Sequence, residues 1–373
     1  MAAAVRPPAP TYRLRAVDSS LGGARHSGRT LRRVTGATYD RDARYEAFRG
    51  DLLAHCYRML GSFDEAEDLV QETLLRAWRA ADRYDPQRAS LRTWLHRIAT
   101  NACLSALEGR ARRPLPSGLG SAGDDPRAPL VPNPDIPWLQ PFPDDRLGDP
   151  ADVAQQRAGL RLALVAALQL LPARQRAALI LREVLQLPAA DVALALDSSV
   201  ASVNSSLQRA RATLRAAGPA LDRLREPADA DEHAVIERYV TAFEAADVPG
   251  LTRLLAADVV LEMPPVPLWL AGRTHYREFM ERVFTMRGTG WRLLPVRANG
   301  SSAVAAYAPD PDTDELRAHS LQVFEVGGGL VRSCVTFADP AVFRLFDLPA
   351  AGPHRPHRTA QSRTPSWSRR RVR

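Results

Sequence analysis

The chain contains no lysine: all 50 of its basic residues are arginine. Abundant Ala and Pro accompany that absence, which points to a GC-rich genome rather than to a mechanism. Arginine still matters physically, because its planar fork suits phosphates and base edges. Cysteine is nearly as scarce. Cys56, Cys103 and Cys334 are odd in number, far apart and without a C-x-x-C spacing, which argues against a disulfide framework and a cysteine zinc site. A reducing cytosol is the simplest compartment. No apolar run approaches the ~18 residues of a membrane span, and the first forty residues lack the apolar core of a secretory signal. The expected location is therefore cytoplasmic, with no membrane partner.

At 373 residues and 45% hydrophobic content, the chain is long enough for two or three domains with cores of their own. Residues 1–41 have no sustained periodicity and read as a disordered tail or as a start codon placed too far upstream. Helical patterning fills 42–113, stops in a Pro- and Gly-punctuated linker at 114–151, and resumes over 152–218. A joint at 219–230 precedes a segment of different character, 231–350. There, amphipathic helices lead into alternating β-type runs, which implies an α+β domain with helices on an antiparallel sheet. Residues 351–373, rich in arginine and free of acid, read as a basic disordered tail.

Charge is unevenly spread within the formal total of +8. The stretch FDEAEDLVQETLLRAW, residues 63–78, places Asp64, Glu65, Glu67, Asp68 and Glu72 ahead of any cation. Ala66, Leu69, Val70, Thr73, Leu74, Ala77 and Trp78 fall on one helical stripe. Ser62 followed by Glu65 fits a capping box, and first-turn acids suit the helix dipole. That accounts for Asp64 and Glu65 better than for Asp68, Gln71 and Glu72, which recur on one exposed flank able to dock a basic protein surface. Immediately downstream, residues 81–113 carry seven arginines against three acids, Arg92 and Arg97 among them, with Tyr84 and Trp94 interleaved. Arginines that hold phosphates beside rings that stack on unpaired bases suit single-stranded nucleic acid. Trp94, flanked by Leu91, Leu95 and Ile98, reads equally well as partial core.

These segments, LLAHCYRMLGSFDEAEDLVQETLLRAW and ASLRTWLHRIATNACLSAL, closely resemble region 2 of the extracytoplasmic-function (ECF) group of sigma-70 family RNA polymerase sigma factors, with DLVQE and RTWLHRIATN at the family's spacing. The resemblance implies that Asp68, Gln71 and Glu72 contact the clamp coiled coil of the polymerase beta-prime subunit. It implies that the following helix captures the melted minus-ten strand, with Asn101 reading a flipped base. An amide is suited to a Watson–Crick edge that melting exposes.

Residues 153–217 carry eight arginines against three acids and end in LPAADVALALDSSVASVNSSLQRARATLR. Val192, Ala193 and Leu196 line a short helix, Asp197 tolerates a left-handed turn, and Ser198 or Ser199 can cap a second helix. Val200, Val203, Leu207, Ala210 and Leu214 form its buried stripe. The opposite face carries Ser202, Asn204, Ser205, Gln208, Arg209 and Arg211, side chains suited to a major groove. An ordinary helical hairpin would leave this face and its charge unexplained. The segment resembles sigma region 4, which implies minus-thirty-five contacts at Asn204, Ser205, Gln208 and Arg209 and a phosphate contact at Arg211. Asn204 and Ser206 stand where many relatives carry basic residues, which implies a different promoter sequence. In this family the linker threads channels of the polymerase that nucleic acid otherwise uses, and its acidity over 117–152, seven Asp against two Arg, suits basic walls.

Residues 231–350 resemble the SnoaL or NTF2-like cone. With WLQPFPD in the linker and LEMPPVPLWLAG in the appended domain, the arrangement is similar to the sigma-G type of the family, departing at Leu270, where relatives commonly have Tyr. The fold expected is multidomain: two all-α sigma domains, region 2 and a region 4 helix-turn-helix, followed by the α+β cone. Some proteins with this cone are enzymes, and Asp258, Glu262, His275 or Tyr276 would be the available general bases. None forms a recognisable dyad, so Glu262 and Trp269 are read with His275 and Tyr276 as candidates to line a binding cavity, the alternative for Glu262 and Trp269 being a strand end and a core, and no cofactor or metal is called for. The domain carries 11 Arg against 16 acids, which disfavours DNA binding by its surface. The partners implied are RNA polymerase core and promoter DNA, with a small-molecule ligand or an anti-sigma factor as regulators. The alternatives are a stand-alone DNA-binding regulator, which has no evident need of the acidic flank, and a cone enzyme with a DNA-binding attachment.

Overall fold

Helix α1 (Arg49–Leu60) ends at Gly61, whose φ of 67° lets its N–H reach back to the Tyr57 carbonyl. A side chain could not stand there, because a Cβ would lie 2.7 Å from the Leu139 side chain. Helix α2 (Phe63–Arg79) starts at once, with Ser62 Oγ accepting from the Glu65 N–H, and α3 (Leu91–Leu107) starts at Ser90 in the same way. Leu52, Cys56 and Leu60 of α1 pack with Ala66 and Val70 of α2 and with Leu95, Ala99 and Cys103 of α3 in one core. We obtained this arrangement from a computed structural model that describes residues 43–148, 156, 158–216, 232–313 and 315–353. The tail expected at 1–41, the joint at 219–230 and residues 354–373 of the basic tail lie outside the described residues.

The second helical unit comprises α4 (Leu162–Leu168), α5 (Ala173–Leu179, continued by a π turn over Ile180–Val184), α6 (Ala189–Ala195) and α7 (Val200–Ala216). Asp197 takes the left-handed turn at φ 47°, and Ser199 Oγ accepts the Ser202 N–H at the head of α7. Val203, Leu207 and Ala210 are buried, whereas Val200, expected on the same stripe, is 43% exposed. It sits in the first turn of α7, where the chain has only just emerged from the turn.

The appended domain places α8 (Glu232–Glu244), α9 (Val248–Arg253) and α10 (Arg273–Arg287) around a six-stranded sheet of order β2-β1-β6-β5-β4-β3. The strands are β1 (Leu255–Glu262), β2 (Trp269–Ala271), β3 (Arg292–Ala298), β4 (Ser301–Pro309), β5 (Leu316–Gly327) and β6 (Leu330–Phe337). The sheet is mixed, not wholly antiparallel as the sequence suggested, because β1 pairs with β6 in parallel. Strands β3 to β6 form a meander with connections of two to six residues, too short for a parallel crossover, which forces antiparallel pairing. No short turn joins β1 to β6, so nothing imposes that sense on them.

Both sheet faces are covered. In β4, Ala303, Ala305 and Tyr307 pack into the same core as the two helical units, while Val304, Ala306 and Ala308 pack into the cone. Alternate residues of a strand point to opposite faces, so the unbroken run SAVAAYA marks a strand buried twice. Described residues from Tyr45 onward therefore form one contact unit, with the linker laid across its seam. The linker buries Leu115, Leu139, Phe142 and Leu147 and adds isolated bridges, Gly123 to Leu270 and Pro143 to Ala298.

Candidate polymerase and DNA interfaces and the seam between domains

The acids of α2 divide into two groups. Asp64 is gripped by both terminal nitrogens of Arg344, each at 2.7 Å, and accepts from Gln140 at 3.0 Å. The Arg344 hydrogen bonds are the main reason its carboxyl lies below the usual value. Glu65 does not complete a capping box; its Oε1 sits 2.8 Å from both Arg110 and Arg113. One turn on, Asp68 and Gln71 are exposed, and Glu72 pairs with Arg76, at 2.7 Å on the helix surface. Leu75 and Trp78 continue this face at 51% and 52% exposure. Trp78 thus departs from its expected place in the buried stripe, which narrows to Ala77 at the end of α2. Apolar residues at i+4 and i+7 from Gln71 were the signal that the exposed face extends further.

In α3, Trp94, Arg97 and Asn101 share one face at i, i+3 and i+7, with Arg97 and Asn101 exposed. Trp94 is half-buried between Tyr84, with ring centroids 5.1 Å apart, and Tyr45, at 6.3 Å. The Tyr84 hydroxyl donates to the Ala89 carbonyl at 3.3 Å. These rings are packed on one another and do not project as a free platform. Arg92 turns the other way, with its Nε 3.0 Å from Asp51 and its Nη1 3.5 Å from the Leu185 carbonyl of the second unit. Behind the face, His55 donates to or accepts from Thr100 at 2.9 Å, and burial holds the His55 and His96 rings neutral, His96 down to about 4.

On α7 the polar face is open: Ser202, Asn204, Ser205, Gln208, Arg209 and Arg211 are all exposed. Arg211 is held 2.7 Å from Glu183. Arg209 has a 3.4 Å contact with Ser206.

The seam is joined at Asn299, in the Asn-Gly turn between β3 and β4, where both residues have positive φ, 57° and 70°. Its fully buried amide donates to the Tyr57 hydroxyl at 2.8 Å and the Leu160 carbonyl at 2.9 Å, and accepts the Phe142 N–H at 2.9 Å. One side chain thereby ties the first helical unit, the linker and the approach to the second unit. Sequence reasoning missed it, although Asn-Gly between two apolar runs is a strong hairpin signal. Two buried arginines complete the junction. Arg58 donates to the Gly159 and Gln156 carbonyls; Arg176 donates to Gln169, Leu171 and Met59. Burial lowers each to about 10, so both stay charged at neutral pH.

The residues expected to line one pocket do not gather. Tyr276 lies inside the cone, its hydroxyl 2.9 Å from that of Tyr239, around a cavity of about 220 Å³ capped by Leu130 and Pro132 of the linker. Glu262 is on the opposite sheet face, buried, with Oε2 accepting the Ser117 N–H at 2.8 Å; burial raises its pKa. Trp269 pairs with Glu262 across β1 and β2 and donates its indole N–H to the Gly120 carbonyl at 3.0 Å. His275, in the first turn of α10, contacts the carbonyl of Ala271 at the end of β2 at 3.0 Å and does not line the cone cavity. Asp258 is exposed near the start of β1. Alternation along β1 separates the set: Leu261 faces the cone and Glu262 faces away.

Residues 44–113 match the Sigma-70 region 2 family, 161–214 match Sigma-70 region 4, and 236–334 match the SnoaL-like domain. The chain is 46% identical over 314 residues to the ECF RNA polymerase sigma factor SigG of Mycobacterium tuberculosis, covering 83% of this chain and 84% of that protein. It is 29% identical over 216 residues to SigJ of the same organism, covering 58% and 62%. The crystal structure of SigJ superposes with a TM-score of 0.57 at 24% identity, over 83% of this chain and 99% of that one, a likeness of fold. Among the described residues no helix is long and apolar enough to cross a membrane. Two sigma regions in order, joined by a linker and followed by a SnoaL-like domain, place the chain in the ECF group of the sigma-70 family of RNA polymerase sigma factors: it is a promoter-specificity subunit that binds core polymerase and promoter DNA, not an enzyme.

Proposed function

We propose that Asp68, Gln71 and Glu72, extended by Leu75 and Trp78, form the surface that docks on the basic clamp coiled coil of the polymerase. The observation that carries this reading is the division of α2: the first-turn acids are paired with arginines from distant segments, and the next turn faces solvent, with Glu72 held by its own helix neighbour Arg76. On the same reading Arg97 and Asn101 take the melted minus-ten strand, Trp94 and Tyr84 shape the wall behind it, and Asn204, Ser205, Gln208 and Arg209 read the minus-thirty-five duplex. Ser202 and Arg211 would touch the backbone there, Arg211 after leaving Glu183. Arg92 joins the strand-binding surface only if it leaves Asp51 and Leu185.

The appended domain serves as a regulator that holds a closed form. Among the described residues, buried Arg58 and Arg176 are hydrogen-bonded to carbonyl and amide oxygens and to no carboxylate. Desolvating such charges is expensive, and water can replace those partners on opening. The seam is therefore suited to two states whose balance a contact or ligand can shift. Transcription in vitro with purified core tests both parts. An Asp68→Arg, Glu72→Arg double variant should fold but lose core binding and promoter-specific transcripts; retained binding would reject the docking surface. Asn299→Gly should raise core binding while leaving promoter choice unchanged; unaltered binding would reject the closed-form regulation.

A further inference from the structure

A second cavity, about 370 Å³, lies outside the cone, between the outer face of the sheet, the linker and α4. Leu115 and Ser117 supply its linker wall, Leu162 and Ala166 its helical wall, and Val323 and Val335 its floor on the sheet. Such a volume is in the range that holds small organic ligands, and an apolar lining with a few polar groups is their usual setting. Its polar groups include Arg112, Glu325 and Glu262, the last a residue only 6% exposed. Among the described residues, the hydrogen bonding of Glu262 is with Ser117, whereas a carboxylate has about four lone-pair sites. Burial of that carboxylate is unfavourable unless a donor or cation completes its shell, which agrees with the upward shift of its pKa. Arg332, also on the wall, is bonded to the Gly327 carbonyl at 3.2 Å.

We propose that this cavity binds a small amphipathic molecule, its apolar body between α4 and the sheet and its hydrogen-bond-donating head, an amine or a hydroxyl, on Glu262. The walls come from three parts of the chain that meet only in the closed arrangement. Resting on the closed-form reading above, such a ligand binds that form alone, and at one hundred times its Kd favours it about 100-fold. It is then a co-repressor of the sigma factor.

The test uses the full chain with 4-phenylbutylamine and 4-phenylbutan-1-ol as probes, measuring binding by calorimetry and core-polymerase affinity by fluorescence anisotropy. The wild type should bind at least one probe at low-millimolar concentration. Ala166→Phe, which fills the cavity from α4 and whose fold circular dichroism checks, should bind at least tenfold more weakly. Glu262→Gln separates the heads: an amine should lose at least tenfold, a hydroxyl little, because the amide still accepts. No binding by either probe, or binding that Ala166→Phe leaves intact, overturns the site. Binding that Ala166→Phe abolishes but that leaves core affinity unchanged supports the site and rejects its coupling to closure.

Discussion

The two helices proposed to face promoter DNA, α3 and α7, are presented differently. The polar side chains of α7 stand in solvent on one face, with Arg211 lightly tied to Glu183. Around α3, Trp94 is packed between rings and Arg92 is turned into the second unit. A duplex-reading helix needs only an open face, because the major groove is there before melting. A strand-capturing surface is useful only after melting, so holding part of it inside a seam costs nothing until then. On the closed-form proposal, the contrast means that strand capture is withheld more than duplex reading.

The sharpest way to break that comparison is to loosen the seam. Asn299→Ala loses three side-chain hydrogen bonds and strains a left-handed backbone position, and urea unfolding should register about 3–4 kcal/mol of destabilisation. Asn299→Gly, which keeps the backbone relaxed, should lose about 1 kcal/mol less. The milder variant should bind a minus-ten single strand more tightly and a minus-thirty-five duplex no differently; an equal change in both would erase the distinction. Conversely, Arg209→Ala should weaken duplex binding by about 10- to 100-fold, the worth of a base contact, with the thermal midpoint and strand binding unchanged.

Acid should also separate the two units. His55 and His96 are held neutral by burial, His96 down to about 4, while the unfolded chain takes up protons near 6.5. Between those values the unfolded state binds more protons, so stability falls as pH falls from 6.5 towards 4, by up to about 1.4 kcal/mol per pH unit for each such ring. The described part of the second unit, 158–216, has no histidine, so a probe on α3 should respond to pH 5 more than one on α7. A His55→Asn, His96→Gln variant should flatten that response. The smallest effect is expected at Arg344→Ala: its pair with Asp64 is exposed, worth less than about 1 kcal/mol. Core affinity should rise by less than about fivefold, and added salt should remove the difference.

Features set by neighbours in sequence were legible before any coordinates. The Ser62 and Ser199 caps, the Asp197 turn and the open face of α7 follow from periodicity and local backbone chemistry. What escaped is what distant segments decide. Arg92 and Trp94 look alike as members of a basic aromatic run, but Asp51, Leu185 and Tyr45 settle where they point. Asn299 announces a hairpin, yet its partners Leu160 and Tyr57 lie 139 and 242 positions away. Glu262 and Tyr276 seemed to share a pocket because nothing in β1 says which parity faces the concave side. The parallel pairing of β1 with β6 was hidden for the same reason: it depends on where the meander ends.

The doubly covered strand β4 has a consequence for how long the protein stays active. On the closed-form proposal, opening the seam bares Ala303 and Ala305 along with their neighbours on β5 and β6, an apolar surface of the kind that proteases and chaperones engage. Unless polymerase or another partner covers it, each molecule that opens starts its own clock. Limited proteolysis that cleaves Asn299→Gly much faster than wild type, with protection restored by core polymerase, would measure that clock; equal cleavage would stop it. A protein built this way ends its signal by leaving its partner.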